Sequence, residues 1–265
     1  MNPQYFQTVV EAIALPPLPP AIEGTGIENS APATIAPQTV IGSQILSFDA
    51  AFPQDIRSDC SGSFLMAQLA ADRAVADAGL TAAGPGADAG GDADAAARLW
   101  QQVYVDTLTR LGWVLDRKSQ SSRVVSTTAV RMHKTLVPVL TAALGGAAAA
   151  AVIVGLLEGV SDMAADSPWI TLFDRDSRRA RAHLFQLSYA TLSGETPALT
   201  LVAFHLAARR DVTQILFFKL GDTTATLDHF EIAVHLDRAT FDAVRGVVAR
   251  RMLPFLADHV EQIPI

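Results

Sequence analysis

One stretch limits what this chain can fold into more than any other. Residues 136 to 157 are 22 consecutive residues without a charge, lying between Lys134 and Glu158. The stretch contains five Leu, four Val, one Ile, seven Ala and three Gly. As a single helix it would be roughly 33 Å long, about the thickness of a bilayer core. Because water solvates such a surface poorly, either protein or lipid must cover it.

The composition of this stretch favours protein over lipid. Each large aliphatic residue favours insertion by only about 0.3–0.6 kcal/mol, whereas the glycines and Pro138 oppose it. The flanks also lack aromatic anchors and strong basic clusters. We therefore predict a core helix, in which the small residues 145 to 151 let a neighbouring helix or sheet approach closely. A helix that is stored in the soluble form and later released into lipid remains the alternative.

The totals fit a globular protein without disulfides. The chain has 265 residues, half of them hydrophobic, so it can bury a large core. Cys60 is its single cysteine and can form no internal bridge. A net charge of −7 argues against nucleic acid as a partner. The N-terminal residues have no basic region, so we expect a cytoplasmic protein without a secretory signal, with export by a signal-independent route left open.

Residues 1–57 are predicted to form an extended, Pro-rich arm. Apolar residues at helical spacing indicate a short helix over residues 3–14, followed by PPLPP at 16–20. Prolines and glycines interrupt residues 21–53, but enough Ile, Val and Phe occur there to anchor the segment. Such an arm docks either on its own domain or on a neighbouring subunit. In the second case the chain would be a homo-oligomer, with itself as its partner.

Residues 58–265 are predicted to form a single domain. Ser58 or Asp59 would cap a first helix that ends at Gly79. The Gly- and Ala-rich residues 81–94 indicate a flexible connection. A second helix would begin at Asp92 or Asp94 and end before Gly112. Residues 113–130, in which two apolar runs flank KSQSS, would form a hairpin of two strands.

The C-terminal half changes to the alternating pattern of strands. Short turns separate the strand-like segments, so neighbouring strands should pair antiparallel. These segments are WITLFD, RARAHLFQLSYATL, ALTLVAFHLAA, TQILFFKL and TLDHFEIAVHL. Asp237 would cap a final helix. The predicted fold class is α+β: an antiparallel meander of four or more strands, packed with the long Ala-rich helix and the C-terminal helix.

One segment suggests chemistry. Asp59-Cys60-Ser61-Gly62 stands at the predicted start of a helix, where the helix dipole and free N–H groups favour a thiolate. DCSGSF resembles the nucleophile segment of the NlpC-type cell-wall cysteine peptidases. That resemblance implies Cys60 as a nucleophile on a helix packed against an antiparallel sheet, with a later strand presenting His229 as its partner. A cysteine in this position is also commonly an inert residue, so no catalytic residue is assigned outright.

Other polar residues indicate no metal, cofactor or further catalytic site. The histidines at 183, 205, 229 and 235 fall in the predicted sheet without HxH or HExxH spacing. Along one strand, His229 and His235 would lie about 20 Å apart. Asp174 and Asp176 around Arg175, and Asp222 after Gly221, are predicted to be turn residues that bind local backbone donors. The glycine-rich GPGADAGG lacks the Lys-Ser/Thr of a phosphate loop.

Three functions remain, in order of preference. The first is a non-enzymatic protein that acts by interaction or self-assembly, with membrane association through the stored apolar helix as one form. The second is a cysteine hydrolase or peptidase that uses Cys60. The third is a carrier of an apolar ligand, in which the thin Ala/Gly helix forms one wall of a cavity.

Overall fold

The structure is a computed structural model in which residues 3–18, 37–80, 90–125, 132–144, 147–160, 167–179, 184–207 and 225–262 are described. Within these residues the protein is a mixed α+β fold built on one seven-stranded sheet. The strands are β1 (Gln38–Ile41), β2 (Gln44–Phe48), β3 (Trp113–Val125), β4 (Leu184–Ser193), β5 (Thr196–Ala207), β6 (Ala225–Leu236) and β7 (Val260–Gln262). The helices are α1 (Pro3–Glu11), α2 (Gln54–Asp77), α3 (Gly90–Arg110), α4 (Met132–Ala143), α5 (Ala147–Val160), α6 (Pro168–Arg179) and α7 (Arg238–His259).

The sheet is mostly antiparallel and has the strand order β3-β6-β5-β4-β2-β1-β7. Strands β4, β5 and β6 pair antiparallel in chain order, and β3 pairs along its length with β6. The exception is the parallel pairing of β2 with β4, which aligns Gln44 with Gln186 and Phe48 with Ala190. The hairpin β1–β2 therefore lies inside the sheet, between β4 and the C-terminal β7.

The two faces of the sheet carry two separate hydrophobic cores. In the first core, α2, α3 and α7 cover one face, and α1 packs on α7. In the second core, α4, α5 and α6 cover the other face. Alternation along the strands divides the sheet residues between them: Phe230, for example, belongs to the first core and Phe204 to the second. We call these helical groups the first layer and the second layer.

The first layer follows the predicted pattern with small shifts. The helix predicted from Ser58 begins four residues earlier, at Gln54, with Pro53 as its N-cap and no side-chain cap. The second predicted helix is α3, and Gly112 after it has a φ of +92°. Its first residues, 90–94, were expected in the flexible connection; residues 81–89 lie outside the described residues. At the C-terminal helix α7, Asp237 is the N-cap and accepts from Ala239 N–H, as predicted.

The second layer differs from the prediction in two places. The uncharged run is not one long helix but two, α4 of 12 residues and α5 of 14. The first helix ends before Leu144, which is a turn residue, and residues 145–146 lie outside the described residues. WITLFD is not a strand but the start of α6, with Pro168 at its first position. Of the described helices, none has both the length and the hydropathy needed to cross a bilayer.

Three further expectations about strands differ from the structure or lie outside it. Residues 113–125 form one strand, β3, rather than a hairpin, and the polar KSQSS lies within it. An exposed edge strand needs no apolar side chains, so its sequence can be as polar as that of a turn. For this reason KSQSS was interpreted as a turn. Residues 38–48, predicted to be part of the arm, are the strands β1 and β2, and most of their side chains are buried. The predicted strand TQILFFKL, residues 213–220, lies outside the described residues.

Candidate functional site

Cys60 lies in the interior of a helix rather than at its start. Because α2 begins at Gln54, the thiol is almost two turns from the free N–H groups that would stabilise a thiolate. Its side chain is fully buried in the first core. Burial raises the pKa of the Cys60 thiol well above its usual range, and the neighbouring Asp59 carboxylate adds to the effect. This environment favours an inert thiol.

Cys60 and His229 are not brought together. Cys60 belongs to the first core, together with Phe230 of β6. His229 precedes Phe230 in the same strand and therefore points to the opposite face of the sheet, where its ring contacts Phe204 of the second core. The sheet thus separates the two residues. The arrangement of nucleophile and base that the resemblance implies is not formed.

The histidines of the sheet face different carboxylates. His205 Nδ1 lies 3.6 Å from Asp228, His229 Nε2 lies 3.7 Å from Glu231, and His235 Nδ1 lies 2.7 Å from Asp116. The described residues contain no group of three or more His, Cys, Asp or Glu that could hold a metal ion. His183 and Asp222 lie outside the described residues.

A cluster of charged side chains lies where α6 meets the end of α7. Asp176 Oδ2 accepts a hydrogen bond from His259 Nδ1 at 2.8 Å, and Asp176 Oδ1 accepts one from Arg175 Nε at 2.9 Å. Arg175 also donates to the carbonyl of Asp258. We call Arg175, Asp176, Asp258 and His259 the α6 latch. Asp174 and Asp176 are therefore helix residues, and not the turn residues that the sequence indicates.

Opposing effects set the ionisation of Asp176. Burial favours its neutral form, but the hydrogen bonds from His259 and Arg175 outweigh burial, so the pKa of Asp176 lies below its ordinary value. An ionised carboxylate in this position holds α6 to the β7 edge of the sheet. Removing one partner of such a buried pair would leave the other uncompensated.

The β1–β2 turn completes the latch and excludes a simple catalytic role for it. Gly42 has a φ of +56°, and its N–H donates to the carbonyl of His259 at 2.8 Å. The positive φ favours glycine, and a Cβ there would lie 2.5 Å from Gln68 Oε1, so a larger residue would have to displace the Gln68 amide. A histidine oriented by a carboxylate can act as a base. The Ser43 hydroxyl of this turn does not use His259 as a base, because it donates to Gln68 Oε1 at 3.4 Å. The contacts of His259 with Asp176 and Gly42 therefore have a structural role: they hold α6, the end of α7 and the β1–β2 turn together.

Helices α4 and α5 pack against each other and on the second face of the sheet; we call them the apolar helix pair. Their inner surface is buried against Phe185, Leu187, Val202 and Phe204. Their outer surface is unusual because it carries no charge from residue 136 to residue 157. The described outer side chains are small or weakly polar: Pro138, Thr141, Ala142, Ala151 and Gly155 are exposed.

One side-chain hydrogen bond joins the described part of this pair to the sheet. Arg117 Nη2 of β3 donates to the carbonyl of Ala143, the last residue of α4, at 3.0 Å. It supplies a partner for a C-terminal carbonyl that the helix itself cannot pair. This contact was not predicted, because Arg117 directly precedes the polar run KSQSS, which was interpreted as a turn. The role of His259 in the α6 latch was also not predicted. Its position in the last turn of the C-terminal helix was the one feature of the sequence that could have indicated a polar contact there.

Comparisons with known proteins leave the function open. No protein-family model and no curated protein matches the chain. Among solved structures, the chain is similar to one described as a delta-endotoxin, with a TM-score of 0.35 and 12% identity over 78% of this chain and 90% of that one. It is also similar to the structure of the Evf virulence factor, with a TM-score of 0.29 and 11% identity over 81% of this chain and 78% of that one. Likenesses this distant support no conclusion about either fold or function.

Proposed function

We propose that this chain is a non-enzymatic, lipid-associating protein that stores the apolar helix pair on its sheet and transfers it to a bilayer surface. The observation that carries the proposal is the outer surface of α4 and α5, which has no charged residue from 136 to 157; Lys134 near the start of α4 and Glu158 near the end of α5 flank this run. A helix that only covers a core usually has a charged outer face. Here the outer face has small and apolar residues, so both surfaces of the pair are compatible with lipid.

The energetics of the inner surface explain why the pair stays docked in water. Its buried side chains include Leu136, Leu140, Ile153, Leu156 and Leu157. Exposing five such side chains to water costs on the order of 10 kcal/mol. In contact with acyl chains that cost disappears, since lipid is as apolar as the core. The difference between the free energies of exposing this surface to water and to lipid would drive the transfer.

Few polar contacts oppose the transfer. In the described residues, the tie from Arg117 to Ala143 is the side-chain hydrogen bond that release would break. One hydrogen bond contributes only about 0.5–1.5 kcal/mol. At 12 and 14 residues, the helices are about 18 and 21 Å long, shorter than a hydrocarbon core of about 30 Å. We therefore expect the pair to lie within one leaflet.

Flotation with phospholipid vesicles tests the proposal. Wild-type protein should rise with the vesicles. Ala151→Arg places a charge on the exposed outer surface of α5, where water tolerates it. Inside a membrane the same charge costs about 2.5–3.5 kcal/mol, so vesicle binding should fall by about a hundredfold. The matched control is Ala76→Arg, an exposed alanine on α2 in the first layer, which should bind like the wild type.

Two outcomes would contradict the proposal. If wild-type protein stayed in the bottom fraction at neutral and acidic pH, the lipid surface would not be its target. If both alanine substitutions reduced flotation equally, the effect would come from net charge and not from the apolar helix pair. Near-identical thermal melting of the two variants is the check that both remain folded.

Self-assembly through the N-terminal segment is the second candidate that we propose. Its support is the separate docking of α1 on α7: Val10 of α1 and Ile13, two residues past its end, are buried, and both carbonyls accept from Arg251 of α7. The same surface on a second copy could receive α1 by exchange. Light scattering after size exclusion, on the full chain and on a version lacking residues 1–20, tests it. A monomer in both cases would remove this candidate.

A further inference from the structure

Arg57 is a buried cation near the start of α2. Its side chain is only 8% exposed, and its guanidinium carbon lies 5.5 Å from the centre of the Phe48 ring. Nη2 donates to the carbonyl of Phe52 at 3.2 Å. The carbonyl belongs to the residue before the N-cap Pro53, so the guanidinium is held at the helix N-terminus. Nε is buried and has no hydrogen-bond partner in the described residues.

The carboxylates nearest along the chain do not neutralise this cation. Asp59 forms an ion pair with Arg245 at 2.6 Å. Asp49 accepts hydrogen bonds from the Tyr189 hydroxyl at 2.6 Å and from Ala51 N–H at 2.9 Å. Asp55 lies exposed in the first turn of α2. Among the described residues, none pairs its carboxylate with Arg57. The stacking on Phe48 compensates only part of the charge.

The position makes the lack of a counterion more unfavourable. A helix N-terminus carries a partial positive charge, so a cation there is disfavoured and an anion is favoured. Pro53 supplies no side-chain cap, which leaves the first N–H groups of this 24-residue helix without a side-chain acceptor. A buried charge without a partner is costly. One oxyanion at this place would pair with the guanidinium and also accept from the helix N–H groups.

We infer that Arg57 and the start of α2 form a binding site for an oxyanion of the phosphate type. A guanidinium offers several N–H donors in a planar fork that matches phosphate oxygens, and helix N-termini bind the same group. Free phosphate, a phosphate ester and a lipid headgroup share this chemistry. The inference does not depend on the apolar helix pair, which lies on the opposite face of the sheet.

Calorimetric titration with inorganic phosphate, at an ionic strength held constant with chloride, tests the site. Wild-type protein should bind one phosphate saturably, and Arg57→Gln should weaken binding by about tenfold or more. Arg57→Lys keeps the charge but loses the fork, so its affinity should be intermediate. Arg73→Gln is the matched control, since it removes an exposed arginine of the same helix, and it should bind like the wild type.

A second measurement needs no variant and so does not depend on the folding of Arg57→Gln. Hydrogen exchange read by peptide mass spectrometry follows the backbone N–H groups at the start of α2 directly. Phosphate should slow exchange in residues 54–57 and leave residues 73–77 of the same helix unchanged. Equal phosphate affinity in wild type and a folded Arg57→Gln variant, or exchange of residues 54–57 at the same rate with and without phosphate, would overturn the inference.

Vesicles distinguish the two sources of the phosphate group. If the ligand is a lipid headgroup, Arg57→Gln should reduce binding to phosphatidylglycerol vesicles more than to phosphatidylcholine vesicles. If the ligand is a free phosphate compound, the calorimetric affinity should fall while both vesicle affinities stay unchanged. Because the titration contains no lipid, failure of the lipid proposal leaves its result intact.

Discussion

The two helical layers cover opposite faces of one sheet but are held in different ways. The first layer has long helices, and polar side chains tie them together on the outside: Trp100 of α3 donates to Asp72 of α2, and Arg245 of α7 pairs with Asp59 of α2. In the second layer, α4 and α5 are short, and no charge occurs between residues 136 and 157. There, burial of apolar side chains supplies most of the attachment.

The difference shows how a domain can carry a detachable part. Separating α2 from the fold would break its ion pair with Arg245 of α7 and a buried network in which Gln68 donates to the Ile41 carbonyl and to Gln44 Oε1. Such groups find no replacement in lipid. Separating α4 and α5 exposes mainly apolar surface, which lipid accepts. Under the proposed function, α4 and α5 would therefore leave the sheet in contact with lipid, whereas the first layer would stay in place.

The largest expected effect comes from removing a ring in the first core. Phe64 of α2 is fully buried and packs on Trp113 at 5.1 Å between ring centres. Phe64→Ala should lower the free energy of unfolding by about 3–5 kcal/mol, measured by urea denaturation. Leu156→Ala in α5 should cost about 2–3 kcal/mol. Hydrogen exchange should show the loss of protection throughout the chain for Phe64→Ala, but mainly in α4 and α5 for Leu156→Ala. Uniform loss in both variants would show that the layers unfold as one unit.

The next effect concerns the α6 latch, which fixes the neighbour of the apolar helix pair. Asp176→Asn leaves the buried His259 and the partly exposed Arg175 without the carboxylate charge and should lower the free energy of unfolding by about 3 kcal/mol at pH 7. Arg73→Gln, which breaks an exposed pair on α2, should change it by less than about 0.5 kcal/mol. Equal losses for the two variants would mean that the latch contributes no more than a surface pair.

The pH dependence of the same variant has a definite sign. The folded pKa of Asp176 lies below its ordinary value, so the carboxylate contributes stability above the unfolded pKa of about 3.8. This contribution is lost as the pH falls through the folded pKa. The stability difference between wild type and Asp176→Asn should therefore be constant from pH 7 to about pH 5 and shrink in stronger acid. Urea titrations across this range measure it. A difference that grew in acid would contradict the assignment.

The smallest effect tests how well the first core is packed. Gln186 of β4 is fully buried, and neither its amide nitrogen nor its amide oxygen has a partner in the described residues. Its neighbour Gln44 donates to Ser188 at 2.7 Å and accepts from Gln68 at 3.1 Å. Gln186→Met should stabilise the protein by about 1 kcal/mol, whereas Gln44→Met should destabilise it by about 1–2 kcal/mol. Urea denaturation of the two variants separates an unsatisfied amide from a satisfied one.

Much of the first layer could be predicted from the sequence because local signals and tertiary contacts agree there. Periodicity gave the two helices α2 and α3, and Gly112 marked the end of α3 at a positive φ. Asp237 marked the start of α7. The mixed α+β class and the mostly antiparallel sheet followed from the alternation in the C-terminal half.

The remaining elements could not be predicted because tertiary position overrides local pattern. In α6, the buried residues Trp169, Ile170, Leu172 and Phe173 follow helical spacing, but three of them are of the β-branched or aromatic types that favour strands. For the candidate site, an error of four residues in the start of α2 was enough to place Cys60 at an activating position. Which face of the sheet received Cys60 and which received His229 depended on strand register, which short-range patterns do not determine.

The placement of β1 and β2 between β4 and β7 also constrains the order of events during synthesis. The ribosome makes residues 38–48 well before residues 184–193, with which β2 must pair. It likewise makes the uncharged run before the strands that will shelter it. Contacts this distant in sequence form slowly. We therefore expect the nascent chain to expose the uncharged run, residues 136–157, for several seconds. At that stage it should depend on chaperones more than its final stability would suggest.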